Sequence, residues 1–226
     1  MRNCQICQNT FSQKLTLAFI LSTKPYEKKL VCKSCQEQLQ LINTQLACKG
    51  CGREQNGPQL CADCKKWQLI YPNLSFQNQA LYIYNDFMKD IIKNYKFNGD
   101  YQLRTIFQVQ LRQKIKTIDF DYLVVIPIDS RTLNDRGFNQ VCGLLDIKHD
   151  HFLARNNTVK EKQSHKNRQQ RLELIQPFEL STDCPDLSDK VVLIVDDIYT
   201  TGRTLFYAHI LLAQHAKSIK SITLAR

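Results

Sequence analysis

Two groups of residues in this chain have the types and spacing to do chemistry. The first is a set of cysteines. Eight of the ten fall in four C-x-x-C pairs, Cys4/Cys7, Cys32/Cys35, Cys48/Cys51 and Cys61/Cys64. A C-x-x-C turn aims two thiolates at one metal, and a second pair brought close by a hairpin completes a tetrahedron. Four pairs therefore predict two zinc sites. Sequential pairing is the simplest, with Cys4, Cys7, Cys32 and Cys35 on one Zn²⁺ and Cys48, Cys51, Cys61 and Cys64 on the other. An interleaved pairing, with the first and third pairs sharing a metal, also satisfies the spacing. All ligand positions are filled by cysteine and none is left for water, so the expected role is structural; redox chemistry of the thiols is the alternative. Binding of this kind supplies roughly 10–16 kcal/mol per site in zinc-finger peptides. Gly50 and Gly52, either side of Cys51, suit a tight knuckle. Cys142 and Cys184 stand alone and read as small buried apolar residues, and His149 and His151 read as surface residues.

The second group lies at residues 191–204, V-V-L-I-V-D-D-I-Y-T-T-G-R-T. An apolar run ends in two carboxylates, and a hydroxyl-rich loop with one glycine opens a helix. Backbone N–H groups in such a loop, with the hydroxyls of Thr200, Thr201 and Thr204, can surround a phosphate at a helix N-terminus. Gly202 keeps a Cβ out of the approach path, and Arg203 follows it. Asp196 and Asp197 can accept hydrogen bonds from vicinal ribose hydroxyls and meet Mg²⁺ through water.

The elements that must position these groups differ between the two parts of the chain. Residues 1–67 hold the metal-ligand pairs and little periodic apolar pattern, and residues 68–226 alternate strand-like and helix-like runs. Strands are predicted at 122–127, 152–155, 191–196 and 219–225, and helices near 86–97, 100–116, 137–147 and 203–215. That alternation predicts an α/β fold with a parallel sheet, in which ligands bind beyond the carboxyl ends of the strands. Phe87, Ile91 and Tyr95 recur at a spacing of four and read as the buried face of one helix. Residues 156–172 are polar and basic and read as a long loop.

The formal charge is +10. Zinc-bound cysteine is thiolate, so two filled Cys4 sites bring the balance nearer to about +6. A basic excess of that size does not by itself demand nucleic acid. No apolar run is long enough to span a membrane, and the expected location is the cytoplasm.

The 191–204 stretch resembles the PRPP-binding motif of type I phosphoribosyltransferases: a hydrophobic run, two acids, then T-T-G-x-T. Ahead of it stand Tyr95-Lys96-Phe97-Asn98-Gly99-Asp100, Val125-Ile126-Pro127, Arg136-Gly137-Phe138-Asn139-Gln140, and Lys166-Asn167-Arg168 with Arg171. In that order, and behind the cysteine pairs, they resemble the ComF family over nearly the whole chain. The resemblance implies a type I phosphoribosyltransferase-like parallel sheet behind an N-terminal double zinc ribbon. It implies a pyrophosphate loop at Pro127, Ile128, Asp129, Ser130 and Arg131, with Arg131 as donor beside Asp196 and Asp197 in any catalysis. Arg136 and Gln140 join the PRPP site, and the basic stretch from Arg155 to Arg171 closes over it. Many ComF sequences carry an asparagine a few residues after the second arginine; here Leu172-Glu173-Leu174 stands instead. The implied partners are PRPP or another ribose 5-phosphate with Mg²⁺, single-stranded DNA, and a competence helicase of the ComFA type, which could bring the protein to the inner face of the membrane. Lys93, Lys96, Lys166, Arg168 and Arg171 are the candidate DNA contacts. The implied role is handling of incoming single-stranded DNA in natural transformation, with an active phosphoribosyltransferase of unknown acceptor as the alternative.

Overall fold

A computed structural model describes residues 1–13, 21, 23, 28–156 and 176–226. The first two strands, β1 (Arg2–Asn3) and β2 (Thr10–Phe11), pair antiparallel around the first C-x-x-C turn. Helices α1 (Lys33–Gln38) and α2 (Ala62–Ile70) each begin directly after a cysteine, Cys32 and Cys61, and carry the next one, Cys35 and Cys64, in their first turn. Helix N-termini favour negative charge, which suits thiolates there.

The larger part then builds a sheet. Strand β3 (Asn78–Tyr82) leads to α3 (Asp86–Phe97). The Asn85 side chain caps α3 by accepting from the Met88 N–H, and Met88, Ile91, Ile92 and Tyr95 form its buried stripe. A 3₁₀ turn (Tyr101–Leu103) runs into α4 (Arg104–Ile115), which is followed by β4 (Tyr122–Val125), α5 (Ser130–Arg136) and α6 (Gln140–Leu144). The antiparallel pair β5 (Leu153–Arg155) and β6 (Phe178–Leu180) comes next, and β7 (Val191–Ile198), α7 (Arg203–Leu212) and β8 (Ser218–Ala225) complete the elements among the described residues. The order across the main sheet is β3-β8-β7-β4, and every pairing in it is parallel.

The expected parallel α/β sheet is therefore present, with three of its four strands where the sequence placed them. The remaining expected strand, at 152–155, lies instead in the separate antiparallel pair β5–β6. Its place in the main sheet is taken by β3, whose opening Asn78 and Gln79 do not look like a parallel strand. Asn78 is nonetheless buried, because its amide donates to the Cys51 carbonyl at 3.1 Å and to Thr223 Oγ1 at 3.0 Å. The helix expected over 137–147 is two shorter pieces. Gly137, at φ 80°, ends α5, and Asn139 caps α6 through the N–H groups of Val141 and Cys142.

Side chains alternate along β7. Leu193 and Val195 pack with α3, α4 and α6 on one face, and Val192 and Ile194 pack with α7 and the β5–β6 pair on the other. Cys4 and Cys35 join the first core, whereas Cys48, Cys51, Cys61 and Cys64 join the second. The chain leaving β4 thus reaches α6, by way of α5, on one face, and the chain leaving β7 reaches α7 on the other. Where that happens the connections part beyond the carboxyl ends and leave a crevice, the usual ligand position in open α/β sheets.

Candidate anion site and metal centres

The cysteine sulfurs gather in two sets of four, Cys4/Cys7/Cys32/Cys35 and Cys48/Cys51/Cys61/Cys64, each with all sulfurs within 4.8 Å of one another. This is the sequential grouping. A tetrahedral zinc with Zn–S near 2.3 Å needs sulfur–sulfur edges of about 3.8 Å. The observed Cys7–Cys32, Cys48–Cys64 and Cys51–Cys61 separations are 3.8, 3.7 and 3.6 Å. Backbone N–H groups also reach sulfur, from Cys32 to Cys4 at 3.3 Å and from Cys61 to Cys48 at 3.2 Å. Hydrogen bonding from Cys64, and then the Arg226 guanidinium, hold the Cys51 thiol down at about 4 against the opposing effect of burial. The donor sets fit Zn²⁺, which would cross-link each ribbon and supply no open coordination position.

The loop after β7 stands beside the second set. Tyr199 is buried, while Thr200 and Thr201 are exposed. Arg226 Nη1 donates to the carbonyl oxygens of Tyr199 and Thr200 at 3.2 and 2.8 Å, and Trp67 Nε1 donates to that of Thr201 at 3.2 Å. In a planar trans peptide the N–H points opposite to the C=O. Holding three successive carbonyls toward the ribbon therefore turns the N–H groups of Thr200, Thr201 and Gly202 away from it. Among the described residues, none of these three N–H groups has a backbone partner. The first turn of α7 closes with Phe206 N–H on Gly202 O at 2.9 Å, so the N–H groups of Thr204 and Leu205 are open as at any helix start. The result is a row of donors at a helix N-terminus, a site for a tetrahedral anion.

Gly202 is also needed by the loop itself. Its φ is 80°, and a Cβ there would stand 2.1 Å from Tyr199 Oη. The residue is required by the left-handed turn and by the Tyr199 ring beneath it. Arg203 lies on the outer side, with Nη2 3.2 Å from Tyr207 Oη.

Strand β7 runs two residues beyond its expected end, paired with β8 through Asp196↔Thr223 and Ile198↔Ala225. Asp196 and Asp197 are thus strand residues and diverge to opposite faces. Asp197 forms an ion pair with Lys96 of α3, and both side chains are largely covered. Asp196 accepts from the Asp197 N–H at 2.9 Å. Burial, and then the charge of Asp197, push its pKa well above the usual carboxylate range. Arg155 reaches this side from β5. Its Nε donates to Pro127 O at 3.0 Å, its guanidinium lies 4.6 Å from the Phe178 ring centroid, and burial lowers its pKa while Asp129 and Asp196 raise it.

The remaining predicted site residues fall around the crevice unevenly. Pro127 and Ile128 form the turn after β4, and Asp129 caps α5 by accepting from the Thr132 N–H at 3.0 Å. Ser130 and Arg131 open that helix, with Arg131 exposed and 3.8 Å from Asp135. Arg136 donates to Gln140 and lies 5.1 Å from the Phe97 ring centroid. Gln140 is buried and its carbonyl receives the Tyr95 hydroxyl at 2.8 Å, so R-G-F-N-Q is a folded joint between α5 and α6. Lys93 is exposed on α3. Lys166, Arg168 and Arg171 lie outside the described residues, as does most of the basic stretch. Sequence reasoning missed Trp67 and Arg226, although Trp67 is the chain's one tryptophan and sits just past Cys64.

The phosphoribosyl transferase domain family matches residues 111–226, and this covers β4, the crevice and the loop after β7. That part of the chain is a phosphoribosyltransferase domain in fold. The competence protein ComFC of Bacillus subtilis (strain 168) is 34% identical over 233 residues, spanning 99% of this chain and 94% of its own length. The competence protein ComFC of Streptococcus pneumoniae (strain ATCC BAA-255 / R6) is 31% identical over 225 residues and 99% of both chains. This chain belongs to the ComFC family of competence proteins.

Proposed function

We propose that this protein binds PRPP, or another ribose 5-phosphate such as a 5′-phosphorylated strand end, at the crevice between β4 and β7, and that it handles incoming single-stranded DNA in natural transformation. The observation that carries the reading is the row of N–H donors without backbone partners at Thr200, Thr201 and Gly202, in the loop that directly follows Asp196 and Asp197. The phosphate would take the donors and the hydroxyls of Thr200, Thr201 and Thr204, and the ribose hydroxyls the Asp196 carboxylate, with Asp197 joining on release of Lys96. The pyrophosphate of PRPP would lie against the turn at 127–131, with Arg131 swinging in from solvent. Asp196 feels Lys96, which it shares with Asp197, and Arg155, and its oxygens would hold Mg²⁺ carried by the ligand, which takes oxygen donors. Residues 1–67, as a double ribbon, and 68–226, as the phosphoribosyltransferase-like unit, would divide the work between DNA or helicase contact and ligand binding.

Thermal unfolding of the zinc-loaded protein tests the ligand site. PRPP with Mg²⁺ at 100 times its Kd stabilises by about 2.7 kcal/mol. Asp196→Ala with Asp197→Ala is expected to remove the shift, and a shift that survives both changes refutes the assignment. Single-stranded DNA affinity should fall with log salt at a slope of about −0.7 per phosphate neutralised. Absence of binding at low salt moves the DNA contact to a partner. Release of pyrophosphate on offering acceptors separates a transferase from a binding protein.

A further inference from the structure

Away from both tetrads and the crevice, three side chains with metal-ligand chemistry converge. Cys142 on α6 and His149 and His151 in the lead-in to β5 place their ligand atoms within 4.8 Å of one another. Read singly in sequence they carried no signal. The fold assembles them because α6 and residues 147–151 pack beside the same strand, β4, where Asp150 bridges to Val124.

We propose that Cys142, His149 and His151 bind a divalent transition-metal ion of the Zn²⁺ class, separate from the two cysteine tetrads. Geometry supports this in three ways. The two imidazoles are 4.9 Å apart between centroids and steeply inclined, at 67°, so they can present nitrogens to a common point without stacking. His149 Nδ1 lies 2.9 Å from the Ile147 carbonyl oxygen. That contact makes Nδ1 the donor and leaves the Nε2 lone pair for a metal, the usual orientation of a ligating histidine by its outer partner. The residue between the histidines is fixed without any metal: the Asp150 carboxylate accepts from the Leu123 N–H at 3.0 Å, and its own N–H donates to Leu123 O at 2.6 Å. The backbone between the two histidines is therefore held against β4 by the fold.

One thiolate and two imidazoles select a borderline ion such as Zn²⁺ or Co²⁺ over Mg²⁺ or Ca²⁺, which take oxygen. Three protein ligands leave a fourth position for water or an incoming ligand, unlike the closed tetrads. His151 is exposed, so that position opens to solvent. A metal here ties α6, which carries Gln140, to β5, which carries Arg155.

The test is metal content of the full-length protein, reduced, saturated with Zn²⁺ and dialysed against metal-free buffer. Three zinc ions per chain are expected, two for the tetrads and one for this cluster. Cys142→Ser, His149→Gln and His151→Gln are each expected to hold two. His151 is exposed, so His151→Gln keeps its fold and should melt at the temperature of the parent when both are stripped of the third ion. Two ions per chain in the saturated parent would overturn the proposal. Three ions retained in both Cys142→Ser and His151→Gln would overturn it equally.

Discussion

The indole N–H of Trp67, on the helix that follows Cys61, donates to the carbonyl oxygen of Thr201 at 3.2 Å. With Arg226 on Thr200, it fixes the direction of the peptide planes that turn the N–H groups away from the ribbon. The Trp67 ring also stacks on Phe206 of α7, centroids 4.2 Å apart, so the ribbon is packed against the start of the same helix. Trp67→Phe keeps an aromatic ring in place and removes only the donor. One hydrogen bond of this kind contributes about 1 kcal/mol. The expected result is roughly fivefold weaker PRPP affinity, read by ligand titration, with a melting temperature lower by only about 2–4 °C.

The two tetrads should therefore differ in what they do to the crevice. Arg226 lies beside Cys51 and also holds the Thr200 carbonyl, whereas the first tetrad packs on the opposite face of the sheet. Gly50→Ala would place a methyl 2.7 Å from Cys64 Sγ and disturb the second tetrad. Cys7→Ser, at an exposed ligand, removes a sulfur from the first. Each variant is expected to lose one zinc. Only Gly50→Ala should also lose most of the PRPP-induced thermal shift, and equal loss in both variants would contradict the wiring through Arg226 and Trp67.

What was readable in the sequence was local. The C-x-x-C pairs and the apolar run with its T-T-G loop carry their meaning within a few residues, and both stand where expected. Strand β3 was unreadable because Asn78 satisfies its amide on Cys51 and Thr223, partners distant in sequence. The divergence of Asp196 and Asp197 depends on how far β7 stays paired with β8, which only the register decides. Trp67, Arg226 and the Cys142 cluster become meaningful only once separate segments are brought together. Lys96, read as a DNA contact, is turned inward to Asp197.

That ion pair makes a stability prediction. Lys96 and Asp197 side chains are 15% and 6% exposed, so removing one charge leaves the other buried without a partner. Lys96→Met keeps the aliphatic stem and is expected to cost about 3–5 kcal/mol in urea unfolding. Adding Asp197→Asn removes the orphaned charge and should restore most of the loss. If Lys96→Met unfolds like the parent, the pair contributes nothing to the fold.

His209 supplies a pH dependence that is independent of the ligand site. It is 3% exposed on α7, with Phe76 5.3 Å away between ring centroids, and burial lowers its pKa from 6.5 to about 4. The unfolded chain therefore takes up a proton near pH 6.5 that the folded chain refuses until about pH 4. Stability is fully present above that window and falls as pH drops through it, by about 1.4 kcal/mol per pH unit at the full slope and about 3 kcal/mol in all. Acid also protonates zinc-bound thiolates, so the informative quantity is the difference between the parent and His209→Gln at each pH. That difference should shrink as pH falls from 6.5 toward 4, because the variant has no imidazole to charge. A difference that stays constant across the window would mean that His209 is protonated in the fold despite its burial.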